Sequence, residues 1–226
     1  MEKVIVFLRR HETETVGDFR KRYLGEHAKR VLAESGAVRY YANVVEDASD
    51  VLTPELFSTP YPGVDAVDEL WFESGGVLAL PALYDREKEV VEAYRVEERI
   101  MQYCPPRWPK GERSPWFKRI NFLRRKEGIS FEQFSAHWRD IHGPLALRIH
   151  NTVQYIQNLI VDSLTDRKAE WDGIVQLDFR SKDQFVNGLY AFPDSKQLMF
   201  EDIRKFTADT DKPRLSLILG EYVMRD

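Results

Sequence analysis

Apolar and polar residues alternate over EKVIVFLRR (2–10) and PWFKRINFLRR (115–125), the period-2 mark of a strand with one buried face. A helical, 3.6-residue period follows each of them. It opens at Thr15 or Ser130 as N-cap, and Gln133 stands three residues after Ser130, where a capping box needs it. The alternation returns at 38–46 and 64–73, and again at 153–161 and 172–180, predicting two more strands in each half. A second helical region is predicted over 76–94 and over 182–207, with closing strands at 97–104 and 214–224.

The two series are copies. Phe7-Leu8-Arg9-Arg10 matches Phe122-Leu123-Arg124-Arg125, Phe19 matches Phe134, Tyr23 matches Trp138 and His27 matches His142, at a constant spacing of 142 − 27 = 115. The register continues through Tyr40/Tyr155 and Asn43/Asn158. VDAVDELWF and WDGIVQLDF then match at a spacing of 171 − 64 = 107, because SDVLTPELFSTPYPG (49–63) adds a Pro-rich surface loop to the first copy. Each copy reads β-α-β-β-α-β, the split βαβ order of ferredoxin-like units. Such a unit leaves one sheet face apolar and in need of a partner. The expected fold is therefore α+β: two tandem ferredoxin-like repeats packed sheet to sheet as an intramolecular α+β barrel. The repeats span 1–106 and 115–226, joined by a linker at 107–114 within the Pro-rich PPRWPKGERSPW.

Composition narrows the function. A formal charge of −4 gives no electrostatic reason to expect nucleic acid or an anionic membrane. No window reaches the roughly 18 apolar residues of a membrane span, and the short N-terminal apolar run is followed at once by charge, unlike a signal peptide. The single cysteine, Cys104, excludes an internal disulfide and is read as structural. These features predict a cytoplasmic protein, a monomer or homodimer.

The run FLRRKEGISFEQFSAHWRDIHGPLALRI, then VQYIQNLIVD and DGIVQLDF, resembles the EthD family of the dimeric α+β barrel superfamily. The likeness lies in FLKRK, F-x-x-W-x-x-x-HGPLA, a Y-x-Q-N strand and a D-G strand. It covers the second copy throughout. The first copy departs from it at HAK, where HGP is expected, and at Asp65-Ala66, where Asp-Gly is expected. The resemblance implies a tandem version of a fold that otherwise dimerises. Its relatives include cofactor-independent dehydratases, cyclases and isomerases for phenolic or hydrophobic substrates, and others that bind haem.

At about 100° per residue, Phe134, Trp138, Ile141, His142 and Leu145 share one stripe of a helix over 130–149, facing the sheet until Gly143-Pro144 breaks or bends it. His142 is the acid/base candidate, since imidazole exchanges protons near neutrality, although a core histidine bonded to backbone near the break reads equally well. His137 is the second catalytic candidate and has no counterpart in the first copy, where Arg22 stands. Trp138, Tyr155, Asn158 and Tyr190 are substrate-binding candidates. Tyr155 and Asn158 are three apart on a strand and so face opposite ways. Asp172 before Gly173 reads as turn chemistry. His137 and His142 lie five apart, about 140° around an α-helix, which disfavours a shared metal. No phosphate-binding glycine loop or nucleophile elbow is present. The reading is a cofactor-free lyase (dehydratase), cyclase or isomerase acting on a small aromatic or hydrophobic carbonyl compound. The alternatives are a haem-binding or a non-catalytic small-molecule-binding protein.

Overall fold

The computed structural model describes residues 1–56, 58–73, 84, 89–166, 169–208 and 214–226. In the first half, β1 (Glu2–Leu8) leads into α1 (Val16–Arg22), a π-helical turn (Tyr23–His27) and α2 (Ala28–Glu34). Next come β2 (Arg39–Val45), the short β3 (Ser58–Pro60), β4 (Ala66–Phe72) and β5 (Val90–Gln102). The second half runs β6 (Phe117–Leu123), α3 (Phe131–His137), a second π-turn (Trp138–His142), α4 (Gly143–Ile149), β7 (Gln154–Ser163) and β8 (Gly173–Phe179). It ends with α5 (Lys182–Gly188), α6 (Ser195–Phe206) and β9 (Arg214–Arg225).

The caps are where the sequence puts them. Thr15 accepts the Asp18 N–H, and Ser130 and Gln133 form a reciprocal capping box. The chain differs in its fifth strand, expected at 97–104 and found at Val90–Gln102, so residues 90–94 of the anticipated first-copy helix are strand. Most of the remainder of that helix lies outside the described residues. The strand is long because it has two jobs: its first part pairs with β1 and its second with β7.

That pairing changes the relation between the halves. The halves were expected to pack sheet to sheet, and they do so within one large mixed sheet: the strands hydrogen-bond in the order β2-β4-β1-β5-β7-β8-β6-β9, and β9 pairs back with β2, so the two seams between halves are backbone ladders. The extra loop of the first copy is not a surface loop throughout. Its β3 runs parallel to β9 beyond the point where β2 leaves off, and Val51 and Leu52 are buried against the second half.

Three large apolar clusters among the described residues follow from strand alternation. Val4, Val6, Tyr40 and Leu70 pack with Phe19 and Tyr23 from the first helices. Tyr155, Leu159, Leu177 and Leu123 pack with Phe134, Trp138, Ile203 and Phe206. The opposite strand faces, including Ile5, Phe7, Ile120, Phe122, Ile174 and Leu219, form a core shared by both halves. This shared face is not apolar to its end. Lys3 bonds Glu69 and Glu98 at 2.7 and 2.8 Å, while Lys118 bonds Glu69 and, at 2.7 Å, Glu221. Burial works against the Glu69 carboxylate, yet the two ammonium groups win and hold it down at about 2.

Candidate functional site

The helix of the second half does not break at Gly143-Pro144. It widens for one turn just before them. In the π-turn the Gly143 N–H reaches back to the Trp138 carbonyl, and Gln157 Nε2 donates to the same oxygen at 2.8 Å. A side chain at Gly143 would put Cβ 2.4 Å from Met101 and 3.2 Å from that Gln157 nitrogen, so the HGP glycine keeps the wide turn against the sheet. Gly173, the glycine of the D-G strand, has the Trp138 ring where its Cβ would be, 2.4 Å away. The Trp138 indole fills the place of a side chain.

The wide turn also moves the buried face by one residue. Ile141, expected inward, is 53 % exposed, and the buried positions beyond it are His142, Gly143, Ala146 and Ile149. The same shift brings together two histidines that an α-helix would hold apart. His142 Nδ1 donates to Asp202 Oδ2 at 2.9 Å, and His137 Nε2 donates to Asp202 Oδ1 at 3.0 Å. Burial would push the Asp202 carboxyl up, but these two bonds prevail and hold it below its ordinary value. Burial lowers the His142 pKa, opposed by Asp202 and aided by Arg214 and His137. His142 is thus a neutral imidazole with its proton fixed on Nδ1. Among the described residues no hydrogen bond engages its Nε2.

His142 lines a cavity of about 70 Å³ between the sheet and α4, α6 and the α5–α6 connection. Trp138, Tyr155 and Tyr190 line it as expected. His137 and Asn158 do not. His137 stacks on Phe206 behind Asp202, at 4.7 Å between ring centres. Asn158 faces the shared core and donates to the Ile174 carbonyl at 3.2 Å, as opposite strand faces require. The Tyr155 hydroxyl accepts from Gln157 at 2.9 Å, and burial raises its pKa. Burial pushes the Tyr190 hydroxyl up to about 12 against the pull of Arg119. Asp172 accepts the Arg125 N–H at 2.7 Å, and Asp65 does the same for Arg10 at 2.8 Å, so both close a strand end rather than act on a ligand.

The sequence reading missed Asp202, Arg119, Asn121, His150 and Arg214. The last four also line the cavity. At the spacing of 115, Arg119, Asn121 and His150 correspond to Val4, Val6 and Ser35. Polar residues standing where the first copy keeps valines on its helix-facing side were the available clue.

At the equivalent place in the first half the described residues gather on a carboxylate instead. The Asp68 carboxylate, fully buried on β4, takes bonds from Tyr23, Tyr40 and Tyr84 at 2.5, 2.8 and 2.6 Å, and from His27 Nε2 at 2.7 Å. In the second half Val175 stands at that position (68 + 107 = 175), and the carboxylate is supplied from α6 instead. His27 therefore spends its Nε2 on the sheet, whereas His142 turns Nδ1 to the helix. Among the described residues no group of three His, Cys, Asp or Glu side chains is placed to hold a metal, and no helix is long and apolar enough to cross a membrane.

No curated protein matches the sequence. Among solved structures, the chain is similar to a crystal structure from Lactobacillus acidophilus NCFM that is named a "putative monooxygenase", with 10% identity and a TM-score of 0.51 over 99% of this chain and 96% of that one. At such identity the likeness speaks for the mixed α+β fold alone. Residues 126–210, which hold α3, the π-turn, Gly173 and α6, match the family model of the EthD domain. That match lies wholly within the second half of the chain, which is similar to the EthD domain.

Proposed function

We propose that the chain is a small enzyme whose second half moves a proton on a small hydrophobic carbonyl compound by acid/base chemistry of its own side chains. The observation that carries this reading is the orientation of His142. Its Nδ1 proton is held by buried Asp202, and its basic Nε2 is left on a residue that lines the cavity. His142 Nε2 takes a proton from the carbon beside the carbonyl, and Asp202 steadies the imidazolium that results. Tyr155 and Tyr190 keep their protons, so either hydroxyl can donate to the oxygen on which charge develops. Trp138 forms the wall, and His137 positions Asp202. Returning the proton to a different atom gives isomerisation, losing a leaving group gives elimination, and attack on a second carbonyl gives cyclisation. The repeated element order and the cyclic strand pairing support reading the scaffold as two ferredoxin-like repeats closed into one α+β barrel. The first repeat then replaces a second subunit.

The reaction can be tested without knowing the substrate. Small aryl and branched ketones incubated in deuterated water should exchange their α-protons faster with the protein than without it. The His142→Gln protein should lose that acceleration by about 10²- to 10⁴-fold while its melting temperature stays within a few degrees. Exchange that survives the substitution contradicts the mechanism.

A further inference from the structure

The cavity is poor in negative charge and rich in unanswered polar groups. Among the described residues no Asp or Glu lines it. Arg119 lies on its sheet wall, 6 % exposed, and the groups it bonds or stacks on are neutral: Nη2 donates to the Ser58 and Ser216 hydroxyls, and the guanidinium lies 5.2 Å from the centre of the Phe185 ring. Its Nε has no hydrogen-bond partner among the described residues, and no ion pair joins it to a carboxylate there. Burial, with Arg214 beside it, pushes the Arg119 pKa down, although a guanidinium still carries its charge near neutrality. His150, at the C-terminal end of α4, lines the same cavity and has both ring nitrogens buried without a partner among the described residues. Burial holds it neutral, pushed down to about 3, with His142 and Arg119 adding to the effect, which puts all three groups within electrostatic reach of one another. A buried, unpaired cation is costly, and proteins keep one where something binds to it.

The first copy shows that the fold does not need this charge. Arg119 replaces Val4 at the matching point of the strand, and its anchoring partner Ser58 comes from the insertion that only the first copy has. Leu56, from the same insertion, lines the cavity as well. The extra segment of one half thus completes the site of the other.

We propose that this cavity takes a small apolar monocarboxylate whose carboxylate sits on Arg119, within bonding distance of His150, leaving its apolar part against Trp138 and Leu177. The proposal rests on the reading of this cavity as the working site and adds the ligand's charge to it. Its size sets a limit: about 70 Å³ admits a few heavy atoms as it stands, and anything larger needs lining side chains to move, the unbranched Met199 among them.

The test is a calorimetric titration of the full chain with acetate, isobutyrate and benzoate, each against its own primary amide. At least one acid should bind about tenfold or more tightly than the matching amide, as a charge-assisted bond in a buried site requires. Arg119→Leu should abolish that preference. Arg119→Lys, which keeps a charge without the fork, should retain part of it. Acid binding is read by calorimetry and proton transfer by α-proton exchange of neutral ketones, so a failure of the proton-transfer reading and a failure of this one have different signatures. Should no acid exceed its amide on the unaltered protein, the proposal is overturned, whatever the variants do. Undiminished acid preference in a folded Arg119→Leu protein overturns it equally.

Discussion

Trp138 and Gly173 account for each other, since the indole occupies the space that a side chain on β8 would need. The first half carries the complementary choice, Tyr23 with Ala66. Gly173→Ala should therefore cost about 1–3 kcal/mol by overpacking, and adding Trp138→Tyr should recover part of the loss. Urea unfolding of the single and double variants checks this, and strict additivity would speak against the contact. At this scale sequence reading reached His142, Trp138, Tyr155 and Tyr190 because they stand in a strong local pattern. It could not reach Asp202, 60 residues away on another helix, because nothing local says which carboxylate faces an imidazole. It also set His137 in the wrong place. A single π-turn changes the helical angle between residues 137 and 142, and no residue type demands such a turn from sequence alone.

Among elements, the strands and their caps were legible because alternation and capping residues act locally, and β5 was misjudged because its N-terminal part is held by β1 and its C-terminal part by β7 of the other half, partners far off in sequence. The charged layer at one end of the shared core was not foreseen either. A lysine early in an amphipathic strand reads as surface until the opposing strands bring Glu69 and Glu221 to it. Lys118→Met leaves those carboxylates buried with less compensation and should cost about 3–5 kcal/mol. Chemical denaturation at neutral pH gives the number, and a loss near zero would mean that the layer is hydrated in solution.

For the whole molecule, the consequence of building both seams from backbone ladders is that neither half is finished alone. Residues 115–226 expressed by themselves expose the edges of β7 and β9, and should pair with a second copy; sedimentation should report a dimer. Stability should also depend on pH through His150. Its folded pKa, about 3, lies below the ordinary 6.5, so the unfolded chain binds the proton first. The stability tied to its neutral form is complete above pH 6.5 and drains as pH falls from there toward 3, by up to ~1.4 kcal/mol per pH unit. His150→Asn should lose less stability than the parent between pH 7.5 and pH 5. The direct test of the central claim, that the second half's cavity is the working one while the first half's matching histidine is spent on Asp68, is a crystal structure soaked with small oxo compounds, anionic and neutral. Density is predicted beside His142 and Trp138, and none among His27, Tyr23, Tyr40 and Tyr84. A compound bound at His27, or His142 turned so that Nε2 rather than Nδ1 meets Asp202, would contradict it.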